Sequence, residues 1–183
     1  MKRRLRIKGK FRKFIKKLHF PKKLARALVL GLVALIAVIL GFLYVNAFDR
    51  TFTVDEQAME PTFTMNSTVR LNKVSYVIGS PKRFDTVAVK LSNSKNARIY
   101  IRRVAGLPGE RIKISDGKIY INDKEVEYPV PDSYIADGGR ASEEYIIPEG
   151  EYFLIGDNFE KSTDSRSISF GCVKKNQIYA KVR

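Results

Sequence analysis

Hydroxyl and amine side chains are the groups of this sequence that could carry out nucleophilic chemistry. The one histidine, His19, lies among basic residues near the N-terminus, which leaves the rest of the chain without a Ser-His-Asp arrangement. A serine can instead use a neutral lysine amine as its base when burial lowers the lysine pKa from ~10.4 toward neutrality. Lys90 lies on a predicted strand, and the available hydroxyls belong to Thr62, Ser67, Ser162 and Ser165.

Cysteine and metal chemistry are not expected. The single cysteine, Cys172, permits no internal disulfide and is predicted to be a small buried apolar residue. No cluster of potential metal ligands is evident, so we predict no cofactor. The folded part must then be stable through its apolar core alone.

Positive charge is concentrated at the N-terminus. Of the 34 Lys and Arg residues, 13 lie between Lys2 and Arg26, where there is no Asp or Glu. The rest of the chain has 21 basic and 19 acidic residues, so its charge is nearly balanced. A folded nucleic-acid-binding domain needs its cations gathered on the domain itself, so we expect no nucleic-acid partner. The basic arm is expected to contact membrane lipids instead.

An uninterrupted apolar run follows the basic arm, from Ala27 to Val45. As a helix its 19 residues would be about 28 Å long, close to the ~30 Å of a hydrocarbon core. A cleaved signal peptide is the alternative, since Val45-Asn46-Ala47 resembles a cleavage site, but cleaved signals have shorter apolar regions of about 7–15 residues. We therefore predict a cytoplasmic arm (1–26), a transmembrane helix (27–47) and an extracytoplasmic domain (48–183), anchored in the plasma membrane with the basic N-terminus inside.

The exported part is predicted to be mostly β and antiparallel. Alternating residues separated by Gly, Asn and Asp predict short strands, and no convincing amphipathic helix follows the membrane span. Asp116-Gly117 joins two alternating runs and is typical of a hairpin turn with positive φ at both positions. Residues 129–147, rich in Pro, Asp, Gly and Ser, are interpreted as an extended surface excursion. The predicted strands are 68–72, 86–91, 97–102, 112–115, 118–121, 152–155 and 177–182.

Four segments, in order along the chain, resemble the type I signal peptidases, which are membrane-anchored Ser-Lys proteases that remove signal peptides from exported proteins. Residues 54–63 are similar to the family pattern ending in Ser-Met-x-Pro-Thr-Leu, and residues 83–87 are a weaker match to Arg-Gly-Asp-Ile-Val. Residues 100–110 are close to Tyr-Ile-Lys-Arg-Val-x-Gly-Leu-Pro-Gly-Asp, and residues 156–166 follow Gly-Asp-Asn-Arg-x-x-Ser-x-Asp-Ser-Arg. The resemblance implies the family's signal-peptidase-like β fold, with a hydrophobic substrate cleft near the membrane.

Both catalytic positions implied by this resemblance hold other residues. Ala58 stands where the family has its serine nucleophile, and Arg102 stands where it has its lysine base. Alanine has no attacking atom, and a guanidinium stays protonated and has no acceptor. Glu56 occupies a position that usually helps to form the oxyanion hole, where a carboxylate would repel the developing charge. We interpret Glu56 as a departure independent of Arg102, and Phe159 as a further one, in place of an arginine.

The resemblance also assigns binding and supporting roles. Tyr100 and Ile101 match residues that line the pocket before the scissile bond, and Val54 and Met59 match the cleft wall. Ordinary core packing is an equally good interpretation of these four. The serine matching Ser162 orients the lysine in the family, and the residues matching Asp164 and Arg166 form a supporting ion pair.

The sequence thus favours an inactive signal-peptidase homologue that binds exported or membrane-tethered polypeptides without cutting them. Inactive relatives of this kind occur in Gram-positive bacteria, some of them associated with pilus assembly, and this suggests a surface assembly factor. One alternative is a true signal peptidase whose serine and lysine were mutated by design. Another is a membrane-tethered β module whose basic arm binds lipid or nucleic acid, but it leaves the four motifs unexplained.

Overall fold

A computed structural model of the protein describes residues 21–48, 50–92, 94 and 97–183. Most of the predicted basic arm, residues 1–20 with His19, therefore lies outside the described residues. Backbone contacts divide the chain into two compact units, one ending at Val45 and the other running from Asn46 to Arg183.

A long apolar helix, α1 (Lys22–Phe48), makes up nearly all of the described part of the first unit and ends three residues past that unit's last residue, Val45. Its stretch Lys23–Tyr44 has a mean hydropathy of 2.8 and is long and apolar enough to cross a membrane. The helix begins five residues before the predicted start of the span and ends one residue after its predicted end. Basic residues at its start do not oppose helix formation, because lysine and arginine are good helix formers.

The second unit is mostly β and antiparallel, as predicted. Its strands are β1 (Arg50–Thr53), β2 (Thr68–Asn72), β3 (Thr86–Lys90), β4 (Ile99–Gly106), β5 (Arg111–Ser115), β6 (Lys118–Ile121), β7 (Lys124–Val126), β8 (Tyr145–Ile146), β9 (Glu151–Ile155), β10 (Val173–Lys174) and β11 (Ile178–Val182). Seven strands form one sheet in the order β1-β2-β11-β3-β4-β9-β10, and four form another in the order β7-β6-β5-β8. A short helix, α2 (Ser75–Ile78), follows β2.

The predicted Asp-Gly hairpin is present between β5 and β6. Asp116 has φ 53° and Gly117 has φ 77°, and Ile114 pairs with Ile119 across the turn. Both turn residues are therefore left-handed, which is what a two-residue hairpin with the natural strand twist requires.

Strand β4 positions much of the site and is paired unevenly. Residues Ile99 to Arg103 pair with β3, whereas β9 pairs with β4 only from Arg103 onward. The register shifts between Val104 and Gly106 on the β9 side. Among the described residues, the second edge of the 99–102 stretch thus has no strand partner.

Residues 129–147 differ from the predicted surface excursion. Val130, Ile135, Ala141 and Ile147 from this segment are at most 7% exposed and belong to the core between the two sheets. The prolines prevent a long strand, but apolar residues between them still pack inward. Cys172 is only half-buried against the same core rather than fully buried.

Candidate functional site

The segment that follows β1 brings Ala58 into the interior. Ala58 is 1% exposed, and its carbonyl oxygen accepts a hydrogen bond of 3.0 Å from the backbone N–H of Asn158. The chain at Gly156 passes so close that a Cβ there would lie 2.4 Å from the Ala58 oxygen. The predicted nucleophile position is therefore held against residues 156–158, and it presents a methyl group and no nucleophilic side-chain atom.

Arg102 lies on β4 with its side chain 1% exposed. Its Nε and Nη2 atoms donate to the carbonyl oxygen of Thr163 at 3.0 and 2.8 Å, and Nη1 donates to the Ile101 carbonyl at 2.6 Å. All three nitrogens of the guanidinium thus have acceptors, so the charge is buried but fully hydrogen-bonded.

Glu56 neutralises this buried charge. Arg102 Nη1 donates to Glu56 Oε1, and Nη2 donates to Oε2 at 3.3 Å, so the two side chains form a bidentate ion pair. The Glu56 side chain is 17% exposed, and Arg98 approaches its Oε2 to 3.9 Å from the solvent side. The two departures that were interpreted as independent in the sequence are one structural unit.

Two aromatic rings flank the guanidinium. The Cζ atom of Arg102 lies 5.6 Å from the ring centroid of Tyr100 and 5.6 Å from that of Phe170, and the two rings meet edge to face. Aromatic faces attract cations within about 6 Å. The rings therefore add to the carboxylate and the carbonyls in fixing Arg102.

Ser162 lies on the same side of Gly156 as the Ala58 carbonyl. A Cβ on Gly156 would lie 2.2 Å from Ser162 Oγ, and this buried hydroxyl has no hydrogen-bond partner among the described residues. Buried hydroxyls without partners are uncommon in proteins. The site therefore contains a hydroxyl group to which Arg102 does not donate, because the guanidinium is directed to Thr163 and Glu56.

The predicted ion pair between Asp164 and Arg166 is present. Arg166 Nε and Nη2 bind the two carboxylate oxygens, each at 2.9 Å, and the N–H of Gly156 donates to Asp164 Oδ2 at 3.0 Å. Arg166 also donates to the Phe159 carbonyl at 2.8 Å. The pair thereby connects Gly156 and Phe159 to the end of the 156–166 loop and holds the loop in its conformation.

The four predicted peptide-contacting residues are not equally accessible. Val54 and Met59 are fully buried and Ile101 is 1% exposed, all three in one core cluster, whereas Tyr100 is partly exposed. Of these four, Tyr100 offers surface to a ligand in this structure. A peptide role for the other three stays a prediction.

A second buried charge centre was missed in the sequence. Asp157 accepts hydrogen bonds from Arg103 Nε at 2.8 Å, from Tyr128 at 2.9 Å and from Thr62 at 2.5 Å. Burial opposes the charged form of Arg103, but the hydrogen bonds and charge of Asp157 outweigh it and raise the pKa of Arg103. Alternation along a strand directs Arg102 and Arg103 to opposite sides, and this was a signal that each needs its own acidic partner.

Three residues occupy the positions that the sequence assigned to catalysis. At the site they provide no attacking atom on Ala58, no base at Arg102 and a carboxylate at Glu56. Among the described residues, no group of three or more His, Cys, Asp or Glu residues could hold a metal ion. Beside the fixed cation, Ile99 and Tyr100 are partly exposed and, within the described part of the chain, have a strand partner on one side alone.

Comparison with known proteins gives a consistent family. A family model described as "Signal peptidase, peptidase S26" matches residues 26–183. Signal peptidase I of Bacillus caldolyticus is 36% identical over 142 residues, which are 72% of this chain and 75% of that protein. Signal peptidase I V of Bacillus subtilis is 32% identical over 158 residues, covering 80% of this chain and 91% of its own. The crystal structure of a signal peptidase I from Enterococcus faecalis is 26% identical, with a TM-score of 0.45 over 58% of this chain and 99% of that one.

Proposed function

Because this chain belongs to the signal peptidase family, peptidase S26, we propose that it is a member that binds exported polypeptides without cleaving them. It is anchored in the plasma membrane by α1, with the basic arm in the cytoplasm and the β unit outside the cell. Its clients are exported or membrane-tethered chains such as preproteins or pilin-like subunits, and its role is surface assembly in a Gram-positive cell.

The Glu56–Arg102 ion pair is the observation that carries this proposal. The family mechanism needs a neutral amine that can accept a proton, whereas Arg102 is fully buried, hydrogen-bonded at every nitrogen and paired with a carboxylate. A guanidinium has no acceptor and does not lose its proton in proteins. The carboxylate of Glu56 would in addition repel an oxyanion formed beside it.

The hydroxyl of Ser162 supports the same interpretation. In the family the matching serine orients the lysine amine, and here Ser162 Oγ is buried without a partner among the described residues. Replacement of the family lysine by Arg102 would leave the Ser162 hydroxyl without the amine that the matching serine binds in the family. The remaining scaffold, including the Asp164–Arg166 pair, is still assembled.

Peptide binding is supported by the open edge of β4. In the part of the chain that the structure describes, Ile99 to Arg102 pair with β3 on one side alone. Ile101 and Arg102 are buried, whereas Ile99 and Tyr100 are partly exposed. An extended chain could therefore add at the 99–100 end of this edge. Strand addition of this kind derives affinity from main-chain hydrogen bonds and selectivity from alternate side-chain contacts. Tyr100 is placed to provide such a contact.

A signal peptidase disabled by design is the other candidate, and the ion pair argues against it. Replacing a serine and a lysine to trap substrate requires no change at Glu56, yet Glu56 is the residue that neutralises Arg102. An unpaired buried charge costs several kcal/mol. Two mutually compensating residues are better explained by natural divergence.

The proposal is tested by rebuilding the dyad in the full-length protein. We expect no cleavage of a preprotein in detergent by the unmodified chain, nor by Ala58→Ser with Arg102→Lys while Glu56 is retained. Adding Glu56→Ser to these two changes should give detectable cleavage, because it removes the carboxylate and frees the introduced lysine amine to approach Ser162. Cleavage by the unmodified chain would overturn the proposal, and an active homologue assayed in parallel verifies the substrate.

A further inference from the structure

Four neighbouring strands of the large sheet bring cations to one end of it. Since β1, β2, β11 and β3 are adjacent and antiparallel, the start of β1, the end of β2, the start of β11 and the end of β3 are directed toward the same end of the sheet. The start of β11 extends beyond the end of β2, which pairs with Lys181. Arg50 begins β1, Lys73 follows β2, and Lys90 ends β3. None of these residues belongs to the four family-like segments.

All three cations converge on Tyr179. The Nζ atoms of Lys73 and Lys90 lie 4.0 and 4.9 Å from the centroid of its ring, and Arg50 Nη1 donates to its hydroxyl at 3.4 Å. The register between β11 and β3 shifts between Ile178 and Ala180, so Tyr179 is the extra residue of a β-bulge. Bulges redirect a side chain, and this one places a half-buried phenol among three positive charges.

The three cations are not neutralised by the described part of the chain. Among the described residues, no carboxylate lies within the 4.0 Å of an ion pair from Arg50, Lys73 or Lys90, whereas nearby Arg98 and Lys181 each have one. The pKa of Tyr179 is lowered, because the hydrogen bonds and charges of Lys73 and Arg50 outweigh the opposing effect of burial. The position therefore favours a negative charge.

We propose that this cluster of Arg50, Lys73, Lys90 and Tyr179 binds the phosphate of an anionic phospholipid headgroup. Such a phosphate would relieve repulsion among the three cations and accept their hydrogen bonds. A lipid is favoured over free phosphate because Arg50 follows the last residue of α1 by two positions, at the end of the sheet where the chain arrives from that helix. Basic clusters beside a membrane span are attracted to anionic headgroups.

The proposal rests on α1 as a membrane anchor, and its consequence is an orientation of the β unit. A lipid held at Arg50, Lys73 and Lys90 would fix one end of the large sheet at the membrane surface. Binding there would be separate from whatever the basic arm does on the other side of the membrane.

A single tryptophan provides a local reporter, since the chain contains none. The Tyr179→Trp variant of the full-length chain is placed in nanodiscs of phosphatidylcholine alone or with a fifth phosphatidylglycerol. We expect the tryptophan emission to shift with phosphatidylglycerol, and the shift to be lost when Arg50, Lys73 and Lys90 are changed to Gln. Removing these three cations should weaken the binding of phosphatidylglycerol roughly 100-fold, because each cation near a membrane contributes to the affinity for anionic lipid.

The matched control removes three exposed lysines elsewhere, Lys113, Lys124 and Lys174, and should retain the shift. Hydrogen exchange of the unmodified chain, followed at residues 50–53 and 178–182, should show protection by phosphatidylglycerol in the same nanodiscs. No lipid-dependent change in a chain that inserts normally would overturn the lipid site and leave the anchor intact. An equal response in neutral nanodiscs to millimolar inorganic phosphate, or to an acidic peptide, would also overturn the assignment to lipid.

Discussion

Glu56 and Arg102 are 46 residues apart in the chain and form a bidentate ion pair in which the arginine side chain is 1% exposed. The pair joins the segment after β1 to the middle of β4, and so it connects the two parts of the chain that carry the predicted catalytic positions. A buried charge of this kind is tolerated because its partner is in place.

Removing the carboxylate should destabilise the protein. We expect Glu56→Ala to lower the free energy of unfolding by about 3 kcal/mol, because Arg102 is left buried without a counter-charge. The double variant Glu56→Ala with Arg102→Met should regain much of this loss, since methionine fills the site without a charge. Urea unfolding in mild detergent, followed by the β-sheet circular dichroism signal, measures both.

The control for this cycle is Asp55→Ala, whose side chain is 54% exposed and lies 3.6 Å from Arg98. An exposed pair contributes about 0–1 kcal/mol, so little change is expected. The coupling would be contradicted if Glu56→Ala with Arg102→Met were destabilised by the sum of the losses measured for Glu56→Ala and Arg102→Met separately.

The close approach at Gly156 leads to a second prediction. A Cβ on this residue would meet Ser162 Oγ at 2.2 Å and the Ala58 oxygen at 2.4 Å. Gly156→Ala should therefore displace the loop and lower the melting temperature, by an amount equivalent to roughly 2 kcal/mol. Because the displaced atoms belong to the site, binding of a client peptide should weaken as well.

Gly150→Ala is the matched control. Gly150 has φ 75°, so alanine is strained there, but nothing lies within 4 Å of the added Cβ. We expect a cost of about 1 kcal/mol and unchanged peptide binding. Equal effects of the two substitutions on binding would show that the contact with Ser162 and Ala58 has no role in the site.

Asp85 should make stability depend on pH. It accepts hydrogen bonds from Lys181 at 2.5 Å, Tyr76 at 2.9 Å and the Lys82 N–H at 3.0 Å. Burial tends to raise the pKa of Asp85, but these hydrogen bonds and the Lys181 charge lower it below its usual value. The stabilisation is present above the unfolded pKa of ~3.9 and is lost as pH falls through the folded pKa.

The measurement compares Asp85→Asn with the unmodified chain. The variant should be less stable by about 1–2 kcal/mol at pH 7, and the difference should shrink once the pH falls below ~4. Asp123→Asn is a control, because its side chain is 73% exposed in its pair with Arg111. A difference that stays constant down to pH 2 would exclude Asp85 as its source.

Local patterns predicted much of the fold. The Asp116-Gly117 hairpin needs only its own turn residues, and the strands at 68–72 and 118–121 were predicted with the same bounds. Strands β7, β8 and β10 were missed because two or three residues are too few for alternation to be recognised. Strand β1 has four residues, but Phe52 is its one apolar residue. Their pairing partners, and not their own sequences, make them strands.

The site was predicted in position but not in its interactions. Motif resemblance located Ala58, Arg102 and Glu56, yet nothing in the sequence indicated that the last two bind each other across 46 residues. The burial of Val54, Met59 and Ile101 was likewise one of two open interpretations. Packing between distant segments decides such questions, and one sequence does not show which distant residues meet.

Peptide binding at the open edge of β4 gives the last prediction. A photo-crosslinking amino acid in place of Tyr100 should capture an exported polypeptide in cells, since Ile99 and Tyr100 are partly exposed and, among the described residues, have no strand partner on their second edge. The same amino acid in place of Tyr120, which is also partly exposed but lies on β6 of the other sheet, should not capture it. Strand addition further requires free backbone groups on the client, so a client peptide N-methylated at alternate residues should compete at least 10-fold less well than its unmodified form. If capture at Tyr100 and Tyr120 were equal, or if N-methylation had no effect, the cleft would not be the binding surface, and the retained scaffold would have a structural role alone.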